Sequence, residues 1–189
     1  MLKLSWDLFV VVIFAVIIAY SFIIGKDATL KIIIGSYIAM LTADGFGNLF
    51  RQYVLSSKDF LVFLKFFGFS GEDKTIILIK VLTFITAIVI IAIKGGFVVE
   101  STGHSGLVGL IVNLIFGFLS AGLMISTMLV YVSGASFVAG TVTIANSTLA
   151  SAYNDSGFVK MMIDNYNFWF SLPAVAFLVS SLFNKREQV

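Results

Sequence analysis

Three polar side chains lie inside stretches too apolar to welcome them: Asp44, Lys80 and Asn113. An ionisable group at membrane depth is costly, and by default it marks function, with a partner to be named. Asp44 falls near the end of the second apolar segment and Lys80 about one and a half turns into the third. Two successive spans place those ends on the same side, so an Asp44–Lys80 ion pair is one reading. In the other reading Lys80 snorkels to the headgroups and Asp44 caps a frayed end beside Gly45. Asn113 stands a few residues into the fourth segment, where a buried amide needs a partner and such a bridge is worth about 0.6–2 kcal/mol.

The elements that must hold these groups are membrane helices. The 189 residues are 59% apolar and 12% charged, against about 25% charged in an ordinary soluble domain. A soluble surface needs that missing charge to stay dispersed. Mean hydropathy is +1.06. A net charge of +2 gives a nucleic-acid partner no electrostatic footing. Cysteine is absent, which removes disulfides, thiolate chemistry and the usual zinc sites together.

The resulting expectation is an all-α integral membrane protein. A four-helix transmembrane bundle spans over about 8–24, 28–45, 75–94 and 106–132. Only a tight turn at Gly25-Lys26-Asp27 separates the first two, which makes them an antiparallel hairpin. Residues about 55–69, rich in Phe but carrying Lys58, Asp59 and Lys65, suit an interfacial amphipathic helix. The stretch 133–164 is full of Ser, Thr, Ala and Gly and has no legible fold. A last apolar helix, about 166–183, lies on the surface or spans. Charge bookkeeping favours the surface: with four spans, Lys185 and Arg186 join the side that holds most other basic residues, and both ends are cytoplasmic.

Small residues recur at intervals of four on two segments: Gly35, Ala39, Ala43 and Gly47 in the second, and Ser105, Gly109, Asn113, Gly117 and Ala121 in the fourth. That spacing keeps each set on one helix face. Lipid offers helices no hydrophobic reward for associating, so close backbone approach and polar bridges must hold them together. The two faces therefore pack on each other within the chain, or on other copies of it. His104 is the only histidine, and its Ser-Thr-Gly-His-Ser surroundings read as a solvated loop. No second histidine or carboxylate cluster accompanies it, so no metal site, cofactor or catalytic constellation is expected, and no enzyme. Asn146-Ser147-Thr148 and Asn154-Asp155-Ser156 match the glycosylation sequon, a short pattern that arises by chance.

The order of parts resembles the colicin V production protein (CvpA) family of bacterial inner-membrane proteins. Trp6-Asp7-Leu8 opens an apolar run that closes in Gly25-Lys26-Asp27, and the second helix follows at once. The fourth helix, from Leu107-Val108-Gly109 through Asn113 to Phe116-Gly117 and Ala121-Gly122, is similar to the family's leucine-rich run with a polar residue and spaced glycines. The likeness extends over roughly Leu4 to Val132. It implies a four-span inner-membrane protein linked to colicin V export and envelope homeostasis, acting as a scaffold or anchor. Its partners would be the lipid bilayer, other copies or other membrane proteins. A different class of function, a subunit of a small oligomeric channel or transporter, would line an aqueous route with Asp44, Lys80 and Asn113.

Overall fold

The computed structural model describes residues 5–55, 57, 62, 71–95, 107–137 and 147–182. Seven α-helices occupy them: α1 (Trp6–Ile24), α2 (Lys26–Tyr53), α3 (Glu72–Lys94), α4 (Leu107–Val132), α5 (Ser147–Asp155), α6 (Gly157–Asp164) and α7 (Tyr166–Leu182). The first four are long and apolar enough to cross a bilayer. The chain is an all-α membrane protein.

Local chemistry sets the helix ends. Ser5 caps α1, its hydroxyl accepting from the Leu8 amide at 3.2 Å. Gly25 closes α1 and opens α2 at φ 82, a left-handed conformation that residues with a Cβ seldom adopt. The Thr29 hydroxyl donates back to the Gly25 carbonyl at 2.8 Å. Within the spans, Ser36, Thr42 and Thr127 each donate to the carbonyl one turn earlier in their own helix. These three hydroxyls need no water.

Tertiary pairing departs from chain order. Although Gly25 makes the expected tight turn, α1 packs chiefly on α4, and α2 packs chiefly on α3. The reason is local: Gly117 of α4 gives α1 a flat seat, where a Cβ would stand 3.0 Å from the Ser21 Cβ. α4 is the central helix, touched by α1, α2, α3, α6 and α7. From Phe116 to Tyr131 most of its residues are buried, on every face.

α2 runs past the expected boundary at 45, through Asp44, Gly45 and Gly47, to Tyr53. Helix propensity is a weak influence that tertiary packing overrides, and here α3 lies along that stretch of α2. The interfacial helix expected over 55–69 falls outside the described residues but for Leu55, Ser57 and Val62, as does the loop with His104 and Ser105. Within 133–164, where no fold was legible, α5 and α6 form a pair hinged at Ser156. The Ser156 hydroxyl accepts from the Val159 amide and donates to the Asp7 carboxylate. Asp7 also accepts from the Phe158 amide at 3.1 Å. Thus the entry of α1 holds the start of α6, with a carboxylate at a helix N-terminus as the helix dipole favours.

Candidate functional site: an ion pair inside the bundle

α2 and α3 are stitched at three levels. At one end the Lys31 ammonium donates to the Gly95 carbonyl at 2.5 Å. At the other, Arg51 and Asp73 form an exposed ion pair at 3.2 Å, which solvent makes weak. Between them, the Lys80 ammonium donates to Asp44 Oδ1 at 2.7 Å, with side-chain exposures of 6% and 0%.

The depth of the middle pair follows from helix geometry. Lys74 and Lys94 lie about 30 Å apart along α3 at 1.5 Å per residue, close to the thickness of a hydrocarbon core. Lys80 stands about 9 Å inward from Lys74, and Asp44 about 10 Å inward from Arg51. Removing both charges from water costs several kcal/mol per ion, so each needs the other and good geometry. Lys80 does not snorkel, because its ammonium is engaged and buried.

The surroundings explain how a lysine fits there. Gly47 leaves the slot that the Lys80 stem occupies: a Cβ on Gly47 would come within 2.7 Å of Lys80 Cγ and 2.8 Å of Cε. α4 covers the pair with Tyr131, which is fully buried, its ring centroid 5.7 Å from the Lys80 nitrogen. The Tyr131 hydroxyl donates to the Met40 carbonyl of α2 at 2.8 Å. Phe84 of α3 meets the same ring edge-on at 5.9 Å. Asp44, Lys80 and Tyr131 therefore join α2, α3 and α4 at one point.

The expected packing faces take several partners. Gly35 seats Ile91 of α3, while Ala39 and Ala43 have no exposed surface. Gly117 seats Ser21, and Ala121 is fully buried. Gly109 is only part-buried, with Leu110 and Ile111 beside it exposed. Asn113 lies apart from the ion pair, at the α1–α4 contact. Its amide nitrogen donates to the Ser21 carbonyl at a long 3.4 Å, and its Oδ1 is buried without a hydrogen-bond partner among the described residues.

Sequence reasoning did not single out Tyr131, and it read Gly122 only as one of the fourth helix's spaced glycines, with no link to Trp169. Gly122, one residue beyond Ala121, admits the Trp169 ring of α7, which would collide with any Cβ there. Trp169 also meets Phe118 at 5.5 Å and Phe14 at 6.2 Å. A four-residue interval selects Ala121 and passes over Gly122. Only the arrival of α7 on the adjoining face distinguishes the two. On the outer side, the Tyr153 hydroxyl of α5 donates to Asp164 at 2.7 Å. That bond, more than its slight desolvation, holds the phenol above its usual value of 10.

No family model, curated protein or solved structure matches this chain.

Proposed function

We propose that the chain is a non-enzymatic scaffold or accessory protein of the bacterial inner membrane, CvpA-like, linked to export or envelope homeostasis. One observation carries this reading: the two intramembrane charges are closed on one another in packed interior, with Lys80 on Asp44 at 2.7 Å, and Tyr131 above them is tied to the Met40 carbonyl at 2.8 Å. A bundle locked in this way offers its outer surface, rather than an internal path, as the working part. Most of both small-residue faces is occupied within the chain. A second copy then meets the still open end of the α4 stripe around Gly109, flanked by the exposed Val108, Leu110 and Ile111. Small residues at such a contact allow close backbone approach in lipid.

The alternative, a subunit of an oligomeric channel or transporter, draws on the same pair. Buried ionisable residues inside a membrane also mark ion and proton routes. Single cysteines at Ser36, Asn113 and Ser120, in a chain that has none, separate the two readings. With a membrane-impermeant thiol reagent, the scaffold reading expects silence in intact folded protein and reaction on denaturation. Reaction at Ser36 and Ser120 in intact membranes would overturn it and put an aqueous route in its place.

A further inference from the structure

We propose that α7 is a fifth transmembrane helix, and that its outer face meets lipid acyl chains from one leaflet to the other. The charge pattern sets the length. No charged residue occurs between Asp164 and Lys185, and α7 itself, 17 residues from Tyr166 to Leu182, is about 26 Å long, at the short end of what crosses a hydrocarbon core.

The contacts set the direction. Ser156 and Phe158 sit at Asp7, where α1 begins. Farther along, the Met162 carbonyl takes the Ser126 hydroxyl of α4 at 3.0 Å. Trp169 then lies against Phe14 of α1 and against Gly122 and Phe118 of α4. Partner numbers rise along α1 and fall along α4. The segment from α6 into α7 therefore descends beside α1 and antiparallel to α4, into the bundle. Ala176 and Phe177 continue onto the core cluster that contains Phe116 and Leu30.

The outer face sets the environment. Phe168, Phe170, Val175, Leu178 and Val179 are all exposed. A helix lying in the interface turns charged residues to water and buries one apolar side, whereas α7 has no charged residue on any side. A helix apolar all round belongs in a core or a membrane. One of its polar side chains is answered within the helix. The Ser171 hydroxyl donates to the Phe168 carbonyl at 3.5 Å. Pro173 inside the helix has no N–H to offer the Trp169 carbonyl, and one residue along the Tyr37 hydroxyl of α2 donates to the Phe170 carbonyl.

Five crossings put Trp6 and Leu182 on opposite faces of the membrane. They also move Lys185 and Arg186 away from the side that a four-span chain enriches in basic residues, so the charge bias that would orient the protein disappears.

Spin labels on single cysteines at Asn167, Val175 and Ser181, in the full chain in lipid vesicles, test the proposal. All three positions are exposed, so the fold tolerates the label. Collision with oxygen, which concentrates in hydrocarbon, is compared with collision with a water-soluble nickel chelate. A spanning α7 gives an oxygen-to-nickel ratio several-fold higher at Val175 than at the two flanking sites. Equal, nickel-accessible collision at all three sites would make α7 a surface helix and overturn the proposal. Protection of Val175 from both reagents, with spin–spin broadening, would overturn the lipid contact by showing a second copy on that face.

Discussion

Replacing Lys80 with Met isolates the energetic role of the buried pair. Methionine keeps an unbranched stem in the slot beside Gly47, so the change removes charge and hydrogen bond with little loss of volume. Asp44 is then left fully buried with its 2.7 Å ammonium partner gone. Removing one member of a buried pair costs about 3–5 kcal/mol, because the remaining charge keeps its desolvation penalty. At about 1.4 kcal/mol per decade, that is a loss of two to three and a half decades in the folded-to-unfolded ratio. Removing both charges, in Asp44→Asn with Lys80→Met, abolishes the penalty along with the attraction, and the double variant recovers most of the lost stability. The assay is reversible unfolding in mixed micelles by denaturing detergent, followed by helical circular dichroism, for the parent, both single variants and the double variant. A strong negative coupling, in which the double variant is more stable than Lys80→Met alone, is expected. If Lys80→Met costs less than about 1 kcal/mol and the two changes add, the pair is not a buried, mutually dependent unit and the reasoning fails.

Gly117→Ile forces a branched side chain where even a Cβ stands 3.0 Å from Ser21, so α1 is expected to separate from α4 at a cost of about 1–3 kcal/mol or more. The loss is read in the same unfolding assay, and a cost below about 0.5 kcal/mol would show that α1 does not seat on Gly117. Tyr131→Phe removes only the hydroxyl bond to Met40 and should cost about 0.5–1.5 kcal/mol in the same unfolding assay, far less than Lys80→Met. Asp164→Asn should lower the Tyr153 titration toward its ordinary value, read from tyrosinate absorbance. The sign follows from the raised phenol: the Tyr153–Asp164 bond contributes fully below about pH 10 and is lost as pH rises through the shifted value.

Much of the architecture was legible because it follows from local composition. Apolar runs of bilayer length specify spanning helices whatever they pack against, since a backbone in lipid must satisfy its own hydrogen bonds. Gly25 as the α1–α2 joint is legible for the same reason. The spacing of Gly35, Ala39, Ala43 and Gly47 marks a face that allows close approach. Asp44 and Lys80 could be named as one candidate pair from their depth, with a snorkelling Lys80 as the other reading. Less was legible where two meanings share one composition. Ser156 reads as part of a sequon by pattern, and only its bonds to Asp7 and Val159 make it a helix cap.

The sequence by itself determined that this is a helical membrane protein, where its four long spans lie, and which few polar groups must be reconciled with hydrocarbon. Those properties depend on residues close in the chain. Tertiary structure alone decided that α1 pairs with α4 rather than α2, that the Lys80 stem lies in the Gly47 slot under Tyr131, and that Trp169 enters the notch at Gly122. Lipid gives apolar helices no preference among neighbours, so the choice rests on where a missing Cβ meets a particular side chain and where one buried charge meets another. Such matches are made between residues far apart in the chain, and no periodicity along a single helix records them.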